Sequence, residues 1–196
     1  YFWPNFWPNT PDILHADLQT GNRATFIGRY VLAATLSSNA GLYGPAYELL
    51  DHEPYPGKEE NSHSEKYQLK AWDLDKPGNI RAEIARMNAI RNKHEAFQRT
   101  FNIHFIPCSN SHIIAYLKQN FEKTDRFIVV VNMDWENQQG GKLDLTPEAL
   151  GLGHAGNLRL VDQFADTPKE YLWDEKKPYL ELNPQTCPAH IFQIID

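Results

Sequence analysis

Apolar positions recur at helical intervals in two stretches of the first half of the chain and at alternate positions through the second. Phe26, Tyr30, Leu32, Ala33 and Leu36 repeat in this way within Asn22–Ser38. They predict a helix that is apolar on most sides and therefore well buried, ended by Ser37-Ser38-Asn39. Ile80, Ile84, Met87 and Ile90–Arg91 mark the buried stripe of a second helix over about 79–92, with Asp75 or Asn79 placed to cap it. Between the two, Gly41–Pro45 reads as a short strand. Residues 51–78, polar and broken by Pro and Gly, read as a long loop, which in a compact domain is uncommon and often functional. Ahead of the first helix, residues 1–12 are aromatic and interrupted by Pro4, Pro8 and Pro11. Proline forbids helix there and leaves an extended segment, with a short strand around Asn5–Asn9.

After His94 the period falls from 3.6 to 2. Seven short runs read as strands: Ile103–Cys108, His112–Lys118, Arg126–Met133, Lys142–Leu145, Asn157–Asp162, Pro178–Leu182 and His190–Asp196. Turn signals at Cys108–Asn110, Gln139–Gly141 and Gly153–Gly156 separate them. So many short strands predict an antiparallel sandwich or barrel over 95–196. Residues 1–94 instead read strand–helix–strand–helix, the order of a parallel sheet with crossover helices. Two such units cannot close a sheet, so they read as the last two units of something larger, such as a (β/α)8 barrel. The expected class is therefore α/β plus all-β, with the boundary near residue 94. A start at Tyr1, inside an aromatic run and without an initiator Met, reads as an excised piece of a longer protein.

Charge and composition narrow the function classes. With 19 basic and 25 acidic residues the net charge is -6, which argues against nucleic acid or an anionic membrane as partner. There is no long apolar run and no signal peptide. Two cysteines, Cys108 and Cys187, form no disulfide framework and no metal spacing, so a cytoplasmic setting is expected. The eight histidines show neither H-E-x-x-H nor pairing with C-x-x-C, and read as scattered surface residues. No metal and no cofactor is expected. An aromatic share of 12% suits a flat ligand such as a sugar, although most aromatics serve cores.

Candidate chemistry lies in the loops. Asp12 follows the first strand, at the end where barrel enzymes carry their catalytic loops. By residue type alone it reads first as a turn residue after Pro11 and second as a carboxylate facing a developing positive charge. Lys66 and Tyr67 lie in the long loop; they read as solvated and half-packed, or as a donor pair for sugar hydroxyls. Gly41-Leu42-Tyr43-Gly44-Pro45 reads as a binding turn or as glycines used for close packing. Gly44 is not part of a phosphate-binding G-x-G-x-x-G, and no G-x-S-x-G is present.

Taken together, these pieces resemble a known family. Asn5-Phe6-Trp7-Pro8-Asn9-Thr10-Pro11-Asp12-Ile13-Leu14 resembles the fourth motif region of glycoside hydrolase family 13, in the form typical of its maltosyltransferases, where most members carry Asn-His-Asp. Val31–Ser37, Gly41–Leu49, Ser64–Asp75 and Pro188–Ile195 follow in the family's order. The resemblance implies transfer of maltosyl from maltose 1-phosphate to the non-reducing end of an α-1,4-glucan, with phosphate released and configuration retained. It implies that Asp12 is the transition-state-stabilising carboxylate and that Lys66 and Tyr67 bind the donor's second glucose. It also implies a homodimer. The nucleophile and the acid/base would belong to strands preceding this chain, so the chain alone is expected to be inactive. Two rival readings stand beside this one. The first is a hydrolase or isomerase of the same family. The second is a non-catalytic carbohydrate-binding module on 95–196, with Trp135, Tyr171, Trp173 and Tyr179 as candidate stacking residues.

Overall fold

A computed structural model describes residues 2–62, 64–65, 68–145, 157–174 and 178–195. The first 94 residues hold a two-stranded parallel pair, β1 (Asn5–Phe6) and β2 (Asn39–Ala40), with Asn5 opposite Asn39 and Phe6 opposite Ala40. The helix α1 (Arg23–Leu36) crosses between them. Its N-cap is Asn22, whose side chain accepts from the Ala24 amide. The apolar residues that predicted α1 are where helical spacing puts them, and Phe26, Tyr30, Val31 and Ala34 are buried. A short helix α2 (Gly44–Glu48) and a longer α3 (Arg81–Lys93) follow. The side chain of Asn79 accepts from the Arg81 amide at the start of α3. Arg91 of α3 donates to the carbonyls of Ala34, Ser37 and Ser38, satisfying acceptors that the end of α1 leaves open.

The strand expected over Gly41–Pro45 is corrected. The strand lies two residues earlier, where Asn39 and Ala40 find β1, and Gly44–Pro45 opens α2 with proline in the first turn, where its missing amide costs nothing.

Residues beyond 94 form a six-stranded antiparallel sheet in the order β3-β4-β5-β10-β7-β8. Its strands are β3 (Ile103–Phe105), β4 (Ile113–Gln119), β5 (Arg126–Asn132), β7 (Asn157–Asp162), β8 (Lys169–Asp174) and β10 (Ala189–Ile195). A second antiparallel pair, β6 (Gln139–Lys142) and β9 (Tyr179–Leu182), forms a two-stranded sheet of its own. Two of the strand expectations change. Gln139–Gly141 is not a turn but the body of β6. Its glycines admit close neighbours, since a Cβ on Gly140 would meet the Tyr179 hydroxyl at 2.3 Å and one on Gly141 the Cys108 sulfur at 2.6 Å. β8 was not expected: Lys-Glu-Tyr-Leu-Trp-Asp is mostly polar because it is an edge strand, paired only with β7. The turn expected at Gly153–Gly156 lies outside the described residues.

The six-stranded sheet buries both faces. Ala115, Leu117, Ile128, Val130, Leu158, Leu160, Phe192 and Ile194 point to one side and pack with Leu180 and Leu182 of β9. Tyr116, Phe127, Val129, Val131, Ala189 and Ile191 point to the other and pack with α1 and α3. The alternation by two is the pleat. It explains why Phe127–Val131 of β5 is apolar without a break, every residue of the strand being buried. One apolar cluster therefore runs from Leu14 and Phe26 through Met87 to Phe127 and Ile191, across the residue-94 junction. The Tyr116 hydroxyl and Thr35 Oγ1, 2.6 Å apart, add a buried polar tie between the sheet and α1. Gly28 of α1 sits under the Trp135 ring, where a Cβ would come within 2.3 Å.

Lys118 on β4 is fully buried, its amine donating to the Arg99 carbonyl at 2.7 Å. Burial, and then the nearby Arg91, push its pKa down to about 7. The folded value lies below the unfolded one of about 10.4, so this group's contribution to stability is full above the unfolded value and is lost as pH falls toward 7. Lys118→Met is therefore expected to raise the urea midpoint clearly at about pH 6 and much less at about pH 9. An equal gain at both would contradict this account of the buried amine.

Candidate functional site

The carboxyl ends of β1 and β2 open on the same side, because the strands are parallel. The segments that leave them meet. Trp7 rests on Gly41, where a Cβ would fall 2.0 Å from the ring. The Gly41 amide donates to the Phe6 carbonyl at 2.8 Å. Asn9 is buried, and its Oδ1 accepts from the Tyr43 amide at 3.3 Å, joining the two segments. Thr10 then closes a tight turn: its Oγ1 accepts from the amides of Asp12 at 3.3 Å and Ile13 at 3.0 Å. Asp12 sits in the turn that its residue type suggested. Its backbone belongs to a turn, and its side chain is exposed on the rim above the parallel strands.

The long loop is fastened to this rim. Asn61 donates to the Thr10 carbonyl at 3.2 Å, and the Leu14 amide donates to the Glu59 carbonyl at 3.1 Å. The Ala16 amide donates to the Glu59 carboxylate at 2.8 Å. The Tyr43 hydroxyl accepts from the Glu65 amide at 3.1 Å, and Glu65 Oε1 accepts from the Trp72 indole at 3.0 Å. Lys66 and Tyr67 lie outside the described residues. Their neighbours Ser64 and Glu65 do not: Ser64 is buried and Glu65 is bound to Tyr43. Sequence reasoning missed Asn9, Tyr43, Asn61 and Glu65 as the residues that draw the two loops together. These are single polar residues in aperiodic segments, and no spacing rule marks them.

The expectation of scattered surface histidines is corrected at two positions. His94 is buried, with Nδ1 2.8 Å from Asp125 Oδ1 and the ring edge-on to Phe127. His190 Nδ1 lies 2.7 Å from Asp162 Oδ2. Burial alone would lower the pKa of His190, but the bond to Asp162 and the neighbouring Cys187 raise it to about 10. Both rings turned inward because a carboxylate waits for them across the sheet or the junction, which no local pattern reveals.

The four aromatics considered for a stacking row do not share a surface. Trp173 is buried, Tyr171 packs edge-on to Phe192, and Trp135 covers Gly28. Tyr179 alone among them is exposed. No helix among the described residues is long and apolar enough to cross a membrane.

These features define an α/β unit joined to an antiparallel β domain. The structure superposes on the crystal structure of a noncanonic maltogenic α-amylase, AmyB from Thermotoga neapolitana, with a TM-score of 0.55 at 14% identity, over 97% of this chain and 40% of that one. At that identity the likeness concerns the fold alone. Sequence comparison is more specific. Residues 105–194 match the family described as "GLGE, C-terminal". The chain is 48% identical over 200 residues to the α-1,4-glucan:maltose-1-phosphate maltosyltransferase of Chlorobaculum tepidum and 47% identical over 195 residues to that of Methylacidiphilum infernorum, each alignment covering 99% of the chain. Along nearly all its length, then, the chain is similar to proteins named α-1,4-glucan:maltose-1-phosphate maltosyltransferase. It spans about 30% of the length of these curated relatives.

Proposed function

We propose that the protein carrying this chain transfers maltosyl from maltose 1-phosphate to the non-reducing end of an α-1,4-glucan and releases phosphate. In this reading, residues 1–94 are the last two β/α units of a (β/α)8 barrel, and 95–196 are the β domain that covers it. The observation that carries the reading is the rim. Asn9-Thr10-Pro11-Asp12 and the Ser64–Glu65 loop, the two stretches that carry the maltosyltransferase motifs, are tied together at the carboxyl ends of two parallel strands.

Retention of configuration needs two displacements, with one carboxylate as nucleophile and a second carboxyl as acid and then base. Neither is nominated within this chain. Asp12 supplies the third negative charge, which acts as the sugar ring acquires oxocarbenium character. Lys66 and Tyr67 hold the donor's second glucose and so place the scissile bond. The enzyme works in the cytoplasm as a homodimer, without a cofactor.

The test uses the protein at the length of its relatives, incubated with maltose 1-phosphate and glycogen. Phosphate release matched by glucan lengthening is expected, and the 196-residue chain alone should give neither. Free maltose without lengthening would indicate a hydrolase instead, and phosphate release by the chain alone would overturn the assignment of the missing carboxylates.

A further inference from the structure

Away from the rim, three metal-ligating side chains from separate segments converge. Asp162 ends β7, His190 lies on β10, and Cys187 belongs to the turn before β10. The carboxylate oxygen, the imidazole nitrogen and the sulfur all lie within 4.8 Å of one another. Cys187 and His190 also stand in C-x-x-H spacing, a signal that a scan limited to H-E-x-x-H and C-x-x-C passes over.

We propose that Asp162, Cys187 and His190 bind one zinc-like divalent ion, with a fourth position open to the adjoining cavity. The donor set is the mixed thiolate, imidazole and carboxylate combination that suits zinc, and three protein ligands with an open position is a common zinc arrangement. Bond lengths of about 2.0–2.3 Å in a tetrahedron separate the donors by about 3.3–3.6 Å. Here His190 Nδ1 is 2.7 Å from Asp162 Oδ2 and 3.9 Å from Cys187 Sγ. Small side-chain shifts would seat the ion, which displaces the proton shared between Nδ1 and the carboxylate and the Cys187 thiol proton now directed at the Ala189 carbonyl.

Asp162 is already oriented for this. It is 1% exposed, and its other oxygen accepts from the amides of Phe164 at 3.0 Å and Ile191 at 3.1 Å, leaving Oδ2 for the site. Such outer bonds fix a ligand's direction. The three residues line a cavity of about 370 Å³ between the sheet and the first turns of α1 and α3, roomy enough for a water ligand. The cations nearest that cavity are neutralised: Arg23 pairs with Glu83, and Arg86 with Asp166 at 2.7 Å.

Cobalt(II) serves as the probe, since cobalt bound to a thiolate shows a strong ultraviolet charge-transfer band. Titration of the purified protein is expected to saturate at one cobalt per chain and to be reversed by zinc, with zinc alone raising the melting temperature. Cys187→Ser is expected to abolish the band, and His190→Gln to weaken cobalt binding at least about 100-fold. Cys108→Ser should leave both unchanged. Circular dichroism of each variant separates loss of the site from loss of the fold. No band in the native protein, or a band that survives Cys187→Ser and vanishes with Cys108→Ser, would overturn the assignment.

Discussion

Asp12→Asn, in the protein at the length of its relatives, is expected to lower turnover about 100- to 1,000-fold, as removal of a group aimed at transition-state charge does. The melting temperature should stay unchanged. The substitution keeps the size of the side chain and removes only its charge. The turn that holds it is built by Thr10 Oγ1 and the backbone amides of Asp12 and Ile13, none of which the change touches. The side chain is exposed on the rim, so no core contact is lost. Steady-state phosphate release from maltose 1-phosphate, compared with thermal melting, checks both halves. Near-normal turnover would remove Asp12 from the reaction. A large fall in melting temperature would recast it as a structural turn residue.

Phe127→Ala carries the largest expected loss of stability, about 3–5 kcal/mol. The ring is fully buried on β5, 4.8 Å from the Phe97 ring and 4.7 Å from His94, where the sheet meets the helical part. Truncation removes apolar contact and leaves a cavity at a place held from both sides, where collapse is difficult. Because the apolar cluster crosses this junction, α1 and α3 should lose their structure together with the sheet. Far-ultraviolet circular dichroism and tryptophan fluorescence should therefore report one coincident urea transition, at a lower midpoint in the variant. Helical signal surviving past the sheet transition would show that the cluster is not one cooperative unit.

Residues that report their own face were legible in the sequence. The stripes of α1 and α3, the two-residue period of β7, and the unbroken Phe127–Val131 run each state how many sides are buried. The motif around Asp12 was legible as well, since its identity lies in consecutive residues. Partners were not legible. That β10 lies between β5 and β7, or that Gln139–Lys142 is a strand because β9 reaches it, depends on segments tens of residues apart.

The sequence by itself determined the two periodicities, the elements that follow from them and the maltosyltransferase motif. Only the tertiary structure decided that the Asp12 turn and the long loop share one rim. It also decided that Cys187, His190 and Asp162 form one cluster, and that the sheet is buried on both faces. The reason is the range of each effect. Periodicity records a side chain's exposure and is written locally, whereas a bond such as Asn61 to Thr10 or His190 to Asp162 exists only once distant segments are packed.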